Sequence, residues 1–280
     1  MKNTFYILIA LVLLMVACGR PSGNAPLSAE LQRAEDLMYP HPDSALHILQ
    51  AMTPPEDELN HATWALLMTQ AKYKCFVDQS DSLVNIAHDY FMKGDDAQRK
   101  ALALYHKAVL LKVKNEADKA LPFYLQASEE VKLTEDYRLA YLIYSHIGMV
   151  YAYRKLHEYS VSYCEQANEY ALLSEDPYYI IESYNCLART YSMQGKNEKA
   201  IMYYDKAIEI GELSNEKKVL TSSIHEKMAV YMSEERYEEA WNVSKTLDHN
   251  QLSLAGNLTI GRLLYNMNKL DSAYYYLNKA

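Results

Sequence analysis

Two segments decide the fold: residues 144–151 read YSHIGMVY, and residues 184–191, which lie 40 positions further on, read YNCLARTY. Each segment begins and ends with tyrosine and carries a small residue, Gly148 or Ala188, at its fifth position. Residues spaced by three, four and seven share one face of a helix. We therefore predict that both segments are helices and that the small residue marks a close approach to a second helix.

The same spacing recurs along most of the chain. The aromatic or large apolar column holds Trp64, Leu104, Tyr144, Tyr184 and Ile224, and a second column of small residues holds Ala120, Ser160, Ala200 and Ala240. Polar breaks separate the two helical runs of each unit. Asn115 and Gly195 suit the left-handed position after a helix, and we expect Asp118, Asn197 and Asp271 to be N-caps of the helices that follow. Each unit is therefore predicted to be a helix–turn–helix hairpin.

This pattern resembles the tetratricopeptide repeat (TPR) family, most closely at Tyr144-Ile147-Gly148-Tyr151. The resemblance implies an all-α, right-handed TPR superhelix (an α-solenoid) of about six to seven hairpins, stretched from the usual period of about 34 residues to 40. The repeat domain is expected at 28–280, with an incomplete last unit. Its units are expected near 26–60, 61–100, 101–140, 141–180, 181–220, 221–253 and 254–280.

The N-terminus is typical of a targeting segment. Lys2 precedes the apolar run Phe5–Ala17, which is too short to span a bilayer as a helix. Its end, Met15-Val16-Ala17-Cys18-Gly19, resembles a bacterial lipobox. The resemblance implies a signal peptide at 1–17, acylation of Cys18 and a flexible tether at 18–27. The mature protein would then be lipid-anchored in the bacterial envelope, at the outer membrane facing the periplasm.

Composition excludes several classes of function. A formal net charge of −8 argues against binding to nucleic acid, which needs clustered Lys and Arg. His225-Glu226 begins an H-E-x-x-H motif that lacks its second histidine, and no phosphate-binding or hydrolase motif is present in the sequence. Cys75, Cys164 and Cys186 have no metal-type spacing, and we expect them to be small buried side chains. We therefore predict no enzymatic activity, no metal and no cofactor.

The remaining prediction is a protein-interaction scaffold that binds a peptide or partner protein in its concave groove. In the TPR family, certain positions of each first helix face that groove. The resemblance places there Lys72, Tyr105, Lys112, Ser145, Asn185, Arg189 and His225. The alternative is a sensory ectodomain, with a membrane helix and a signalling module expected after Ala280.

Overall fold

The computed structural model describes residues 26–280, which form fourteen helices and no strand. Two compact units divide the chain, Met1–Tyr90 and Phe91–Ala280. Cys18, the signal peptide and most of the expected tether lie outside the described residues. No helix between residues 26 and 280 has the length and apolar character needed to cross a bilayer.

The first unit contains α1 (Ala29–Leu37), α2 (Pro42–Ala51), α3 (Glu58–Lys74) and nearly all of α4 (Ser82–Phe91). Phe91, the last residue of α4, is the first residue of the second unit. Helices α1, α2 and α3 pack together around Leu31, Leu49 and Leu67, which are almost fully buried. The indole of Trp64 donates a hydrogen bond to the carbonyl oxygen of Leu49 at 3.0 Å. Trp64 thereby joins α3 to the end of α2.

The second unit is a succession of five antiparallel hairpins, each with a first and a second helix. They are α5 (Ala97–Val113) with α6 (Ala117–Val131), α7 (Tyr137–Tyr153) with α8 (His157–Leu173), α9 (Pro177–Met193) with α10 (Asn197–Ser214), α11 (Lys217–Ser233) with α12 (Tyr237–Ser244), and α13 (Leu254–Asn266) with α14 (Leu270–Leu277). Four first helices begin at residues 97, 137, 177 and 217, and the predicted stride of 40 is confirmed.

The turn inside each hairpin is built the same way. Asn115, Lys155, Gly195 and Glu235 all have positive φ, between 58° and 71°. After α5, the backbone N–H of Glu116 donates to the carbonyl of Leu111 at 2.9 Å, which is the long bond of a Schellman motif. The left-handed positions predicted at Asn115 and Gly195 are confirmed.

The predicted N-caps were wrong. Asp118, Asn197 and Asp271 lie in the first turns of α6, α10 and α14, and the capping positions are Glu116, Lys196 and Lys269, which make no side-chain capping bond. The Schellman turn is so short that only three residues separate the end of the first helix from the start of the second. Side-chain N-caps are found instead at the starts of first helices. They are Asp96, Asp136 and Asp176, which lie 40 residues apart.

Gly148, the small residue of α7, lies where the two helices of its hairpin cross. A Cβ atom added to Gly148 would lie 2.6 Å from the Sγ of Cys164 and 3.3 Å from the carbonyl oxygen of Ser160, both on α8. Ala108 and Ala188, at the equivalent positions of α5 and α9, are fully buried. The expected close approach between the two helices is confirmed at Gly148.

First helices also contact each other from one hairpin to the next. Helix α7 touches α9, α9 touches α11, and α11 touches α13, whereas no comparable contact joins the second helices of the described part. The first helices are therefore closer together than the second helices. In a solenoid, this difference places the first helices on the inner side of the curve.

Candidate functional site

The first helices of the second unit carry six of the seven predicted groove residues. Four of them, Tyr105, Ser145, Asn185 and His225, occupy one repeat position, 40 residues apart. Tyr105, Ser145 and Asn185 are 2%, 6% and 0% exposed, because the first helix of the neighbouring hairpin packs across this position. These three side chains present almost no surface to a ligand.

His225 is half-buried and lies beside a different opening. Its ring borders a cleft of about 700 Å³ between α11 and the segment 246–253, with Leu252 and Asp248 on the opposite wall. Burial lowers the pKa of its imidazole, and its Nε2 has no hydrogen-bond partner among residues 26–280. His225 is therefore a neutral side chain in the cleft.

The two predicted lysines have different surroundings. Lys72 is half-buried near the end of α3, in the first unit. Lys112, near the end of α5, is exposed to water, yet desolvation by the surrounding protein lowers the pKa of its amine. A side chain that is both exposed and surrounded by protein lies on a concave surface.

Arg189 is the centre of a polar network that joins three helices. Its Nη1 contacts Glu226 of α11 at 2.9 Å and its Nη2 contacts Glu182 of α9 at 3.2 Å. The hydroxyl of Tyr204, on α10, donates to the other oxygen of Glu226 at 2.9 Å. Burial alone would lower the pKa of the guanidinium, but Glu226 and Glu182 outweigh it and raise that pKa. Arg189 is thus a permanent cation whose charge is compensated by two carboxylates.

A cleft of about 380 Å³ lies above this network. Its walls come mainly from the first helices α7, α9 and α11, and it is lined by Met149, Tyr153, Arg189, Ser192, Met193, Tyr204, Glu226, Ala229, Val230 and Ser233. A second cleft of about 310 Å³ shares Ala229 and Ser233 and continues onto α13, where it reaches Arg262 and Asn266. Together these two clefts form a groove across four successive first helices, here called the inner groove.

The apolar part of this face was not predicted from the sequence. Val113, Tyr153 and Met193 are the last residues of α5, α7 and α9, and they are 68%, 71% and 44% exposed. They repeat every 40 residues, and this recurrence of apolar side chains just before a polar turn was the available signal. We call these three residues the apolar stripe, and two of them, Tyr153 and Met193, line the inner groove.

An aromatic cluster joins α5, α6 and α7. The ring of His146 stacks on Tyr105 with a centroid distance of 5.5 Å, and its Nδ1 is 2.9 Å from the hydroxyl of Tyr124. Burial, followed by the charges of Lys112 and His106, lowers the pKa of His146 from 6.5 to about 3. This histidine is neutral at physiological pH and its contacts are structural.

The described residues thus form an all-helical array of repeated hairpins whose inner helices carry a mixed apolar and polar groove. Within residues 26–280, no three His, Cys, Asp or Glu side chains come together as a group that could hold a metal ion.

Comparison with known proteins agrees with an all-helical array of repeated hairpins. Residues 139–213 match the tetratricopeptide repeat family model. The matched segment, which holds most of α7 to α10, is similar to tetratricopeptide repeats. No curated protein sequence matches it.

Solved structures share the fold at low identity. A Signal Transduction ATPase with Numerous Domains from Pyrococcus horikoshii, which has a tetratricopeptide repeat sensor, is 18% identical over 90% of this chain, with a TM-score of 0.66. This chain spans 42% of that protein. A Rap protein complexed with competence and sporulation factor is 17% identical, with a TM-score of 0.65. The match covers 89% of this chain and 74% of the Rap chain. NprR in complex with its cognate peptide NprX is 14% identical, with a TM-score of 0.59. The match covers 89% of this chain and 76% of the NprR chain.

Proposed function

We propose that this protein is a non-enzymatic interaction scaffold that binds an extended peptide, or an extended segment of a partner protein, in the inner groove. The observation that carries the proposal is the apolar stripe beside the compensated cation Arg189. Exposed apolar side chains at a regular spacing suit the side chains of an extended chain, and polar groups between them suit its backbone.

The geometry of the inner groove supports a peptide rather than a compact ligand. The two adjoining clefts, of about 380 and 310 Å³, run across α7, α9, α11 and α13 instead of closing into one pocket. Among the structures of similar fold, one is described with a bound cognate peptide and another with competence and sporulation factor. Those ligands belong to those proteins; their relevance to this chain is part of the proposal.

The test uses peptides selected from a random display library on the purified chain, with affinity measured by fluorescence anisotropy. Met193→Glu places a charge in the apolar stripe, and we expect it to weaken binding at least about tenfold, the equivalent of about 1.4 kcal/mol. Met202→Glu is the matched control, since Met202 is 45% exposed on the second helix α10 and Met193 is 44% exposed on α9. Equal loss in both variants, or loss only in Met202→Glu, would refute binding in the inner groove.

We also propose that Cys18 anchors the protein in the bacterial envelope, at the outer membrane facing the periplasm. The lipobox-like segment Met15–Gly19 after a short apolar run supports this assignment. Mass spectrometry of the mature N-terminus should find an acylated Cys18, and Cys18→Ser should release the protein from the membrane fraction. An N-terminus that is unmodified at Cys18 would contradict the anchor.

A second candidate function is a sensory ectodomain of a longer regulatory protein. One observation favours it: the Pyrococcus horikoshii protein of similar fold is described as having its tetratricopeptide repeats as a sensor. Measuring the mass of the protein in its native cells decides the question, because a signalling module after Ala280 would add its own mass. A mature mass equal to that of residues 18–280 with lipid would exclude this second function.

A further inference from the structure

Two buried cysteines face each other between neighbouring hairpins. Cys164 lies on α8 and Cys186 on α9, 22 residues apart, and their Sγ atoms are 2.9 Å apart. Both are thiols in the structure, and they are 0% and 2% exposed. Since a disulfide bond is about 2.05 Å long, joining the two sulfurs requires them to approach by about 0.9 Å.

The surroundings keep the two sulfurs in this position. Gly148 has no Cβ atom, and the space that a Cβ would fill is taken by the Sγ of Cys164, which would lie only 2.6 Å away. The hydroxyl of Thr190 lies 3.4 Å from the same sulfur, and Leu187 packs against the pair. No third metal-ligating side chain joins them in the described part of the chain, which argues for sulfur chemistry over metal binding.

The two thiols are not equivalent. The hydrogen bond from Cys186 is the main cause that lowers the pKa of Cys164, because it stabilises a thiolate there, and it outweighs burial. The same hydrogen bond and burial raise the pKa of Cys186. Since the thiolate is the nucleophile in thiol–disulfide exchange, Cys164 is the better nucleophile of the pair.

We propose that Cys164 and Cys186 form an oxidation site, in which a reversible disulfide joins α8 to α9. The oxidant is an external disulfide, either a small molecule or a dithiol oxidase. The Cys164 thiolate attacks one sulfur of that disulfide, breaks its S–S bond and releases the first thiol. Cys186 then loses its proton and attacks the mixed disulfide at the Cys164 sulfur, which releases the second thiol. Two electrons and two protons thus pass from the cysteine pair to the oxidant.

The disulfide would connect two successive hairpins through Cys186, three residues before Arg189, which lines the inner groove. Because Arg189 and Thr190 follow Cys186 on the same helix, the cross-link holds this part of α9 against α8. A cross-link that closes a loop of this length restricts the unfolded chain and stabilises the folded one. We expect oxidation to raise the thermal midpoint of the chain by about 5 °C or more.

The experiment uses the full chain carrying Cys18→Ser, so that Cys75, Cys164 and Cys186 are its only cysteines. The protein is treated with oxidised glutathione, quenched with acid and unfolded, and free thiols are blocked with N-ethylmaleimide. The sample is then digested and analysed by mass spectrometry before and after reduction. The expected result is a peptide pair linked through Cys164 and Cys186, with Cys75 recovered as a thiol or a glutathione adduct.

Variants separate this chemistry from a folding defect. Cys75→Ser should leave the linked pair unchanged, whereas Cys164→Ser and Cys186→Ser should each abolish it. The oxidised parent should melt above its reduced form, and dithiothreitol should reverse the shift. Cys164 and Cys186 recovered as free thiols after complete oxidation, or a thermal midpoint unchanged by oxidation in the parent, would overturn the proposal. Since both readouts use the parent chain, they hold even where a variant fails to fold.

Discussion

Gly148→Ala is the change that most sharply tests how the hairpins are packed. The added methyl would lie 2.6 Å from the Sγ of Cys164, 3.2 Å from its backbone nitrogen and 3.3 Å from the carbonyl oxygen of Ser160. The sulfur contact is the severe one, since the two backbone contacts need a shift of only a few tenths of an ångström; either the sulfur must move or the helices must separate. Overpacking of this kind costs about 1–3 kcal/mol.

The helix itself partly offsets that cost. A contact of 2.6 Å belongs at the upper end of that range, about 2–3 kcal/mol, and alanine favours a helix over glycine by about 1 kcal/mol, so the net loss expected for Gly148→Ala is about 1–2 kcal/mol. Cys164→Ala removes the atom with the closest contact. In that background we expect Gly148→Ala to be nearly neutral, which gives a coupling energy of about 1–2 kcal/mol between the two positions.

The assay is urea unfolding followed by circular dichroism at 222 nm under reducing conditions. Gly94→Ala is the matched control: Gly94 is exposed, and a Cβ there would meet only the carbonyl oxygen of Phe91, at 3.9 Å. Its urea midpoint should stay at or slightly above that of the parent. A Gly148→Ala protein as stable as the parent, or an equal loss with and without Cys164, would refute the packing argument.

Three further predictions follow from single side chains. The folded protein lowers the pKa of His146 from 6.5 to about 3, so between these pH values only the unfolded chain binds a proton on this histidine. Acidification from pH 7 to pH 5 should therefore lower the free energy of unfolding by about 1–2 kcal/mol. His146→Gln should lose less when unfolding is measured at both pH values. Lys155 is exposed and has a φ of 58°, a left-handed conformation that glycine adopts more easily than lysine. Lys155→Gly should therefore raise the free energy of unfolding by about 0.5–1 kcal/mol in a urea titration. A lower free energy of unfolding would contradict the left-handed turn. Arg189→Met leaves Glu182 and Glu226 without their cation, so it should lower the free energy of unfolding by about 1–3 kcal/mol in a urea titration; a variant as stable as the parent would argue against the ion pairs.

Much of the fold follows from the sequence because one spacing repeats so many times. Helical faces, the small residue Gly148 at a helix crossing and the left-handed turn residues Asn115 and Gly195 are all local consequences of backbone sterics and packing. The capping residues were misassigned because Asp118 and Asn197 satisfy capping chemistry in isolation. Only the short Schellman turn, which starts the second helix early, places them inside it.

Fewer features of the candidate site could be predicted from the sequence. The spacing placed Asn185 on a first helix but gave no measure of how closely the next first helix packs, and that packing leaves Asn185 fully buried. Arg189 was predicted to face the concave groove, yet its charge is compensated by Glu226, 37 residues away in sequence. The pairing of Cys164 with Cys186 also depends on the contact between two hairpins, which no spacing within one helix encodes.

The most direct test of the central claim, that the first helices form the binding surface, is hydrogen–deuterium exchange of the chain with and without a selected peptide. We predict slower exchange on binding at the ends of three first helices, in segments 149–153, 189–193 and 229–233, while the second helices α8 and α10 exchange as before. Protection confined to α8 and α10, with unchanged exchange at the ends of the first helices, would contradict the account.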